Sequence, residues 1–295
     1  MSIVVLGSLG NISKPLVQQL IAAGKKVTVV SSSSERKSEI EKLGATAAIG
    51  LVTDQDFLEN TFKGAEAVYT IVPPYHAKED WKGYIAGVGQ KYANAIKIAG
   101  VKYVVNLSSI GAHLADGVGP VSGLYHVEQA LNKLEGVNVL HLRPAYFYYN
   151  LLNNIGLIKN TGIIGGNFGT DSTLVLVHPK DIAKVAAEAL ISLNFADKSV
   201  KYIASDEKKP AEIASILGKA IGKPELPWVD FKDEESFAGM IGAGLYEELA
   251  KNYVEMGTSI RNGKMIEDYL NNKPSTLSET KLEHFAEEFA LAYNA

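Results

Sequence analysis

The chain has no cysteine among its 295 residues. That excludes disulfides, thiolate metal sites and thiol nucleophiles, and it fits a reducing compartment. Arginine is scarce: of 29 lysines and arginines, only Arg36, Arg143 and Arg261 are arginine. The guanidinium fork suits planar, two-pronged ion pairs, so each of the three is a candidate for a specific partner. Neither sign of charge dominates. A net charge of −4 and a pI near 5.9 argue against a nucleic-acid surface or binding to an anionic membrane. No apolar run reaches the ~18 residues of a membrane span. The strand pattern starts at Ser2 and leaves no room for a signal peptide, so a cytoplasmic protein, monomeric or homodimeric, is expected. No His or carboxylate spacing resembles a metal site, and no Gly-x-Ser-x-Gly elbow marks a serine hydrolase. The remainder is ordinary: 46% of residues are hydrophobic, enough for one large domain or a large and a small one.

A repeating unit runs through about residue 142. An amphipathic helix ends in glycine, and a strand begins within a few residues. Gly24 precedes Lys26–Val30, Gly44 precedes Ala45–Ile49, and Gly64 precedes Ala67–Val72. Gly100 precedes Tyr103–Leu107, and Gly136 precedes Val137–Leu140. Glycine just past a helix takes the left-handed conformation cheaply and turns the chain back. Strands alternating with helices imply a parallel sheet with right-handed crossovers. These strands are apolar on both faces, as they must be when helices cover both. Thr53 with Asp56 resembles a capping box for the third helix. Ile85, Val88, Tyr92, Ile96 and Ala99 give the fourth helix one apolar face. The rhythm changes after Leu142. An aromatic junction, Tyr146-Phe147-Tyr148-Tyr149, leads into a glycine-rich stretch. Short strands near 174–177 and 200–204 follow, either of which can join the main sheet. From Pro210 helices dominate, and Phe237 to Ile260 keep helical spacing. The expected fold is α/β: a doubly wound parallel sheet over residues 1–144, and a smaller, mostly helical substrate portion over 145–295.

The most informative segment is Ser2-Ile3-Val4-Val5-Leu6 followed by Gly7-Ser8-Leu9-Gly10-Asn11-Ile12. A strand, a glycine turn and a helix in that order hold the phosphates of a dinucleotide. Gly7 permits the turn, Gly10 lets backbone N–H groups approach a diphosphate, and the helix offers its unsatisfied amides and positive dipole end. Ser13 stands where a third glycine would pack helix against sheet. The end of the second strand bears on which coenzyme is bound. NAD binders place a carboxylate there for the ribose 2′-hydroxyl. This chain reads Val30-Ser31-Ser32-Ser33-Ser34-Glu35-Arg36-Lys37. Hydroxyls followed by Arg36 and Lys37 suit a 2′-phosphate, so NADP(H) is favoured over NAD(H); Glu35 facing the ribose on a longer turn, or a solvated serine loop, are the competing readings. Val72-Pro73 lies at the edge bordering the ligand crevice, where the prolines also serve as a plain loop constraint.

Together these residues resemble the NmrA-like branch of the atypical short-chain dehydrogenase/reductase superfamily. The likeness extends through Phe62–Val68, Gly100–Ser109, Leu142–Phe147 and His178–Ala183. It implies NAD(P) binding, with Gly7, Leu9, Gly10, Asn11 and Ile12 around the pyrophosphate and Val72-Pro73 near the adenosine half. Ser108 and the turn Pro144–Phe147, with Tyr146, would lie near the nicotinamide. Two departures stand out. Relatives often read Gly-Asp where this chain has Gly50-Leu51. The Tyr-x-x-x-Lys pair of typical short-chain dehydrogenases is also absent: four residues after Tyr125 stands Gln129. That pair works because a nearby ammonium lowers the phenol pKa for proton transfer. Tyr269 and Lys273 have the spacing, but far outside the expected helix.

Hydride transfer mainly needs coenzyme and substrate aligned, since the coenzyme carries the difficult step. Tyr125 and His126 are the nearest proton-donor candidates, with Ser108 or Ser109 as orienting hydroxyls. A helix-surface role competes for His126, and a structural role for His113 and His178. Tyr146 to Tyr149 either stack on a flat ring or fill the core. The leading expectation is an NADPH-dependent reductase of a small quinone or conjugated carbonyl. Its rival is a catalytically silent NADP(H)-binding, redox-sensing regulator. A sugar-nucleotide epimerase is disfavoured, because on this fold it relies on the tyrosine–lysine pair.

Overall fold

A computed structural model describes residues 2–74 and 79–295. The first half alternates β1 (Ser2–Val5), α1 (Ser13–Ala22), β2 (Lys26–Ser31), α2 (Lys37–Lys42), β3 (Thr46–Ile49), α3 (Gln55–Phe62), β4 (Ala67–Thr70), α4 (Trp81–Ala99), β5 (Tyr103–Leu107), α5 (Val121–Asn132) and β6 (Asn138–Pro144). The second half holds β7 (Tyr146–Phe147), α6 (Ile155–Thr161), β8 (Ile164–Gly166), β9 (Leu174–Val177), α7 (Pro179–Ser192), β10 (Lys198–Ile203) and β11 (Asp206–Lys208). It ends with α8 (Pro210–Ala220), β12 (Trp228–Asp230), α9 (Asp233–Gly242), α10 (Glu247–Arg261), α11 (Glu267–Asn271) and α12 (Leu282–Asn294).

The principal sheet has seven strands in the order β10-β6-β5-β4-β1-β2-β3. Every pair in it is parallel. The order reverses at β1, which places a crevice at the carboxyl ends of β1 and β4, the usual ligand position in such sheets. Residues alternate between two cores. Ile3, Val5 and Tyr69 face α1 and α7, while Val4, Leu6 and Val68 face α3, α4 and α5. Each fully buried leucine on this scaffold, such as Leu16 or Leu20, contributes about 1.5–3 kcal/mol by leaving water. Helices α4 and α5 touch closely because Gly89 has no side chain: a Cβ there would lie 2.7 Å from Val127 Cγ2. That contact fixes the helix carrying Tyr125.

Two open placements resolve and two expectations change. The strand at 200–204 does join the principal sheet, since β10 pairs with β6 from Lys198↔Val139 to Ile203↔Pro144. The strand at 174–177 does not. β9 runs antiparallel to β11 and parallel to β7 in a separate three-stranded sheet. Four apolar residues in a row carry no record of which edge they pair with. The cap of α3 is Asp54, which accepts from the Phe57 amide at 3.0 Å, rather than Thr53. The helical run from Phe237 breaks between α9 and α10, where Gly244 takes a φ of +88°.

Candidate functional site

The turn after β1 passes through two residues with positive φ. Gly7 sits at φ +97° and Ser8 at φ +55°. The second value costs a non-glycine residue about 1–2 kcal/mol. A side chain on Gly7 would meet Ser13 Oγ at 2.6 Å and Ile71 Cγ2 at 2.8 Å. Ser13 takes the place of the third glycine and donates to the Leu6 carbonyl at 3.0 Å. Gly10 and Asn11 are exposed, Leu9 is half-buried and Ile12 is buried. The first turn of α1 has no side-chain cap and no acidic residue. No acidic side chain neutralises its dipole; the Lys14 amide already donates to the Gly10 carbonyl at 3.0 Å and Pro15 has none, so the dipole and the remaining turn amides are what fit a diphosphate.

A hydroxyl row continues along the end of β2. Ser8 Oγ donates to Ser31 Oγ at 3.0 Å, and Ser31 Oγ accepts from the Ser33 amide at 3.2 Å. Ser31 is buried and Ser32 exposed. Beyond them Arg36 is exposed and pairs with Glu39 at 2.7 Å. Glu39 also takes Lys14, from the first turn of α1, at 2.9 Å. The Lys14 ammonium and then the Arg36 guanidinium hold the Glu39 carboxyl below the usual carboxylate range. Lys14 and Glu39 were missed by sequence reasoning. The only local clue was a lysine in the first helical turn, where a basic residue opposes the dipole.

Val72 and Pro73 are half-buried after β4. The Tyr92 hydroxyl pins this segment by donating to the Ile71 carbonyl at 2.8 Å. Leu51, after β3, is largely exposed.

At the ends of β5 and β6 the structure brings together residues that the sequence did not connect. Ser108 is buried and donates to Glu128 Oε1 at 2.5 Å. Glu128 lies three residues after Tyr125 on α5, where positions i and i+3 share a face. It forms a buried, two-pronged ion pair with Arg143: Nε to Oε1 at 3.0 Å and Nη2 to Oε2 at 2.7 Å. Arg143 Nη1 donates to the Tyr202 hydroxyl and to Asp268, both at 3.0 Å. Burial opposes the charge of Arg143, but the Glu128 carboxylate outweighs it and raises the guanidinium pKa. The hydroxyl proton of Ser108 is thus committed to Glu128.

Tyr125 is half-buried, with its ring edge-on to exposed His126 at 5.3 Å. Pro144 is buried, and Tyr146 is half-buried against Phe168 at 5.8 Å. The other aromatics of the junction serve packing. Tyr148 bonds Asp206 and stacks on Phe285 at 5.4 Å, and Tyr149 donates to Glu288 at 2.8 Å. Tyr269 and Lys273 share one carboxylate, Glu207, at 2.6 and 2.8 Å, which accounts for that spacing structurally.

Two further histidines have structural surroundings. His178 caps α7 by accepting from the Lys180 amide at 3.0 Å. His141 lies inside a row that crosses three strands. Thr70 donates to Asn106 at 2.8 Å, Asn106 Nδ2 meets His141 Nδ1 at 3.1 Å, and His141 Nε2 meets Asn132 Oδ1 at 3.0 Å. That row assigns the Nε2–H tautomer, and burial pushes the imidazole pKa down to about 4. Among the described residues no group of three or more His, Asp or Glu is placed to hold a metal, and no helix is long and apolar enough to cross a membrane.

Known proteins share this architecture. An NAD(P)H azoreductase from Xenophilus azovorans is 24% identical over 248 residues, covering 84% of this chain and 83% of its own. The crystal structure of a triphenylmethane reductase from Citrobacter sp., complexed with NADP(H), superposes with a TM-score of 0.80 at 21% identity. That match covers 98% of this chain and all of the other. An NADPH-dependent quinone oxidoreductase from Escherichia coli, complexed with NADPH, gives 0.81 at 20% identity over 97% of this chain and 99% of its own. These likenesses establish the Rossmann-type fold. The profile of the NmrA-like family matches residues 1–289, and the chain belongs to that family.

Proposed function

We propose that this protein is an NADPH-dependent reductase of a small, flat electrophile, a quinone or a conjugated carbonyl. The observation that carries this reading is the uncapped, acid-free start of α1 behind a turn at φ +97° and +55°. When bound there, the coenzyme supplies a hydride. The rest falls to the chain. Gly7, Leu9, Gly10, Asn11 and Ile12 surround the diphosphate, the turn's backbone amides holding its oxygens. Ser31, Ser32 and Arg36 receive the 2′-phosphate, which is the ground for preferring NADP(H) to NAD(H). Val72 and Pro73 border the adenosine half, and Ser108, Pro144 and Tyr146 border the nicotinamide. The substrate lies between this edge and the elements after residue 145, with the half-buried Tyr146 ring as a flat wall. Tyr125 or a water molecule delivers the proton to the substrate oxygen; Ser108, engaged with Glu128, is a fixed boundary. Exposed His126 lies beside Tyr125 as the second donor candidate. Three relatives named for azo, triphenylmethane and quinone chemistry support a conjugated acceptor.

A second reading, a catalytically silent NADP(H)-binding regulator, is favoured by one observation: Gln129 stands four residues after Tyr125, and α5 contains no lysine. Steady-state NADPH oxidation with a panel of quinones separates the two. Turnover supports the reductase. Micromolar coenzyme binding without turnover supports the regulator.

A further inference from the structure

Two cations from different elements converge on one carboxylate beside the dinucleotide turn. Lys14 comes from the first turn of α1, and Arg36 from the segment after β2. Their nitrogens lie 2.9 Å from Glu39 Oε1 and 2.7 Å from Glu39 Oε2. The side chains of Lys14, Arg36 and Glu39 are 45%, 53% and 38% exposed, so solvent reaches all three. The neighbouring pair Lys37–Glu41 is a local contact within one helix at 4.0 Å. The Lys14–Glu39 bond is different in kind, because it ties the start of α1 to α2. In this fold the carboxyl end of β2, beside the crevice between β1 and β4, receives the ribose on the adenine side. A tetrahedral dianion on that ribose calls for two cationic donors approaching from two sides, and a carboxylate already fills the space between them.

We infer that Glu39 is a specificity-determining residue: its carboxylate occupies the place of a coenzyme 2′-phosphate between Lys14 and Arg36 and competes with it. The inference rests on the coenzyme-binding reading and goes beyond it. Glu39 lowers the affinity for NADPH and leaves that for NADH untouched, so the chain's preference between them is weaker than its two cations alone would give. On binding NADPH, Lys14 and Arg36 exchange Glu39 for phosphate oxygens, and the carboxylate turns to water.

The test is calorimetric titration of the whole protein with NADPH and with NADH, for the wild type and Glu39→Gln. The variant should bind NADPH about tenfold more tightly, as expected for removing one like charge near a dianion in a water-like medium, with NADH affinity changed less than about twofold. Lys14→Gln should do the reverse to NADPH and again spare NADH. Unchanged or weakened NADPH binding in Glu39→Gln, with both coenzymes still bound by the wild type, overturns the role of Glu39 alone. Absence of heat from either coenzyme with the wild type overturns the coenzyme reading and this inference with it.

Discussion

The hydroxyl of Ser13 occupies the space that a side chain on Gly7 would need. It donates to the Leu6 carbonyl at 3.0 Å, and a Cβ on Gly7 would sit 2.6 Å from it. The turn therefore closes through a hydrogen bond where a third glycine would close it through absence. Gly7→Ala should cost at least about 2 kcal/mol, because φ is +97° and Ile71 also blocks the added methyl. Ser13→Ala should cost about 1 kcal/mol, the worth of the lost bond. The double variant should be less damaged than the two costs combined, by about 0.5–1.5 kcal/mol, since Ser13→Ala removes one of the two clashes. Urea unfolding of the four proteins measures this, and simple additivity would refute the coupling.

Arg36 follows β2 with its guanidinium exposed, and the proposed function gives it the 2′-phosphate. Arg36→Glu should weaken NADPH binding by about tenfold or more and change NADH by less than about twofold. Fluorescence titration with both coenzymes reads the ratio directly. Equal losses would remove Arg36 from coenzyme selection.

The Glu128–Arg143 pair is buried at 2.7 Å, and cutting it from one side strands a charge. Arg143→Met or Glu128→Gln alone should destabilise by about 3–5 kcal/mol. The double replacement should recover part of that loss, because neither member of the buried pair is then left charged, while Asp268, one-third exposed, keeps its access to water. Thermal unfolding compares the three, and a double variant worse than either single one would contradict the pairing.

His141 makes stability depend on pH. Its folded-state pKa lies near 4, below the ordinary value of 6.5. The unfolded chain therefore binds a proton that the folded chain refuses, and stability falls as pH drops through this window. At pH 5 the loss relative to pH 8 should be about 2 kcal/mol from this residue. His178 and His113, also shifted down by burial, act with the same sign. Urea unfolding between pH 8 and pH 5 checks the slope, and His141→Gln should flatten it.

Much of the architecture was legible because its signals are local. A glycine after a helix and an apolar strand two residues later need no knowledge of distant residues, and the β1 to β6 unit followed from them. Pairing in the second half was not local. β9 and β10 are both short, and only tertiary packing sends one to a small sheet and the other to the main edge. The candidate site divides in the same way. The glycine turn, Ser31 and Arg36 were named from contiguous sequence. Lys14 and Glu39 were not, since their contact spans 25 positions and two helices. The tyrosine–lysine spacing points four residues beyond Tyr125, to Gln129, whereas the buried partner of Ser108 is Glu128, at three. The scarcity of arginine was the better guide: each pairs with a carboxylate, Arg36 with Glu39, Arg143 with Glu128 and Asp268, and Arg261 with Asp233.

The seventh strand has a consequence for synthesis. β10 pairs along nearly the whole of β6, yet it begins at Lys198, after the aromatic junction, β9 and α7. A nascent chain halted before that point leaves β6 with one flank of amides and carbonyls unmatched. Such a flank is a template for another strand, from the same chain or a neighbouring ribosome. The assembly hazard of this protein is therefore concentrated in the interval between translation of β6 and emergence of β10.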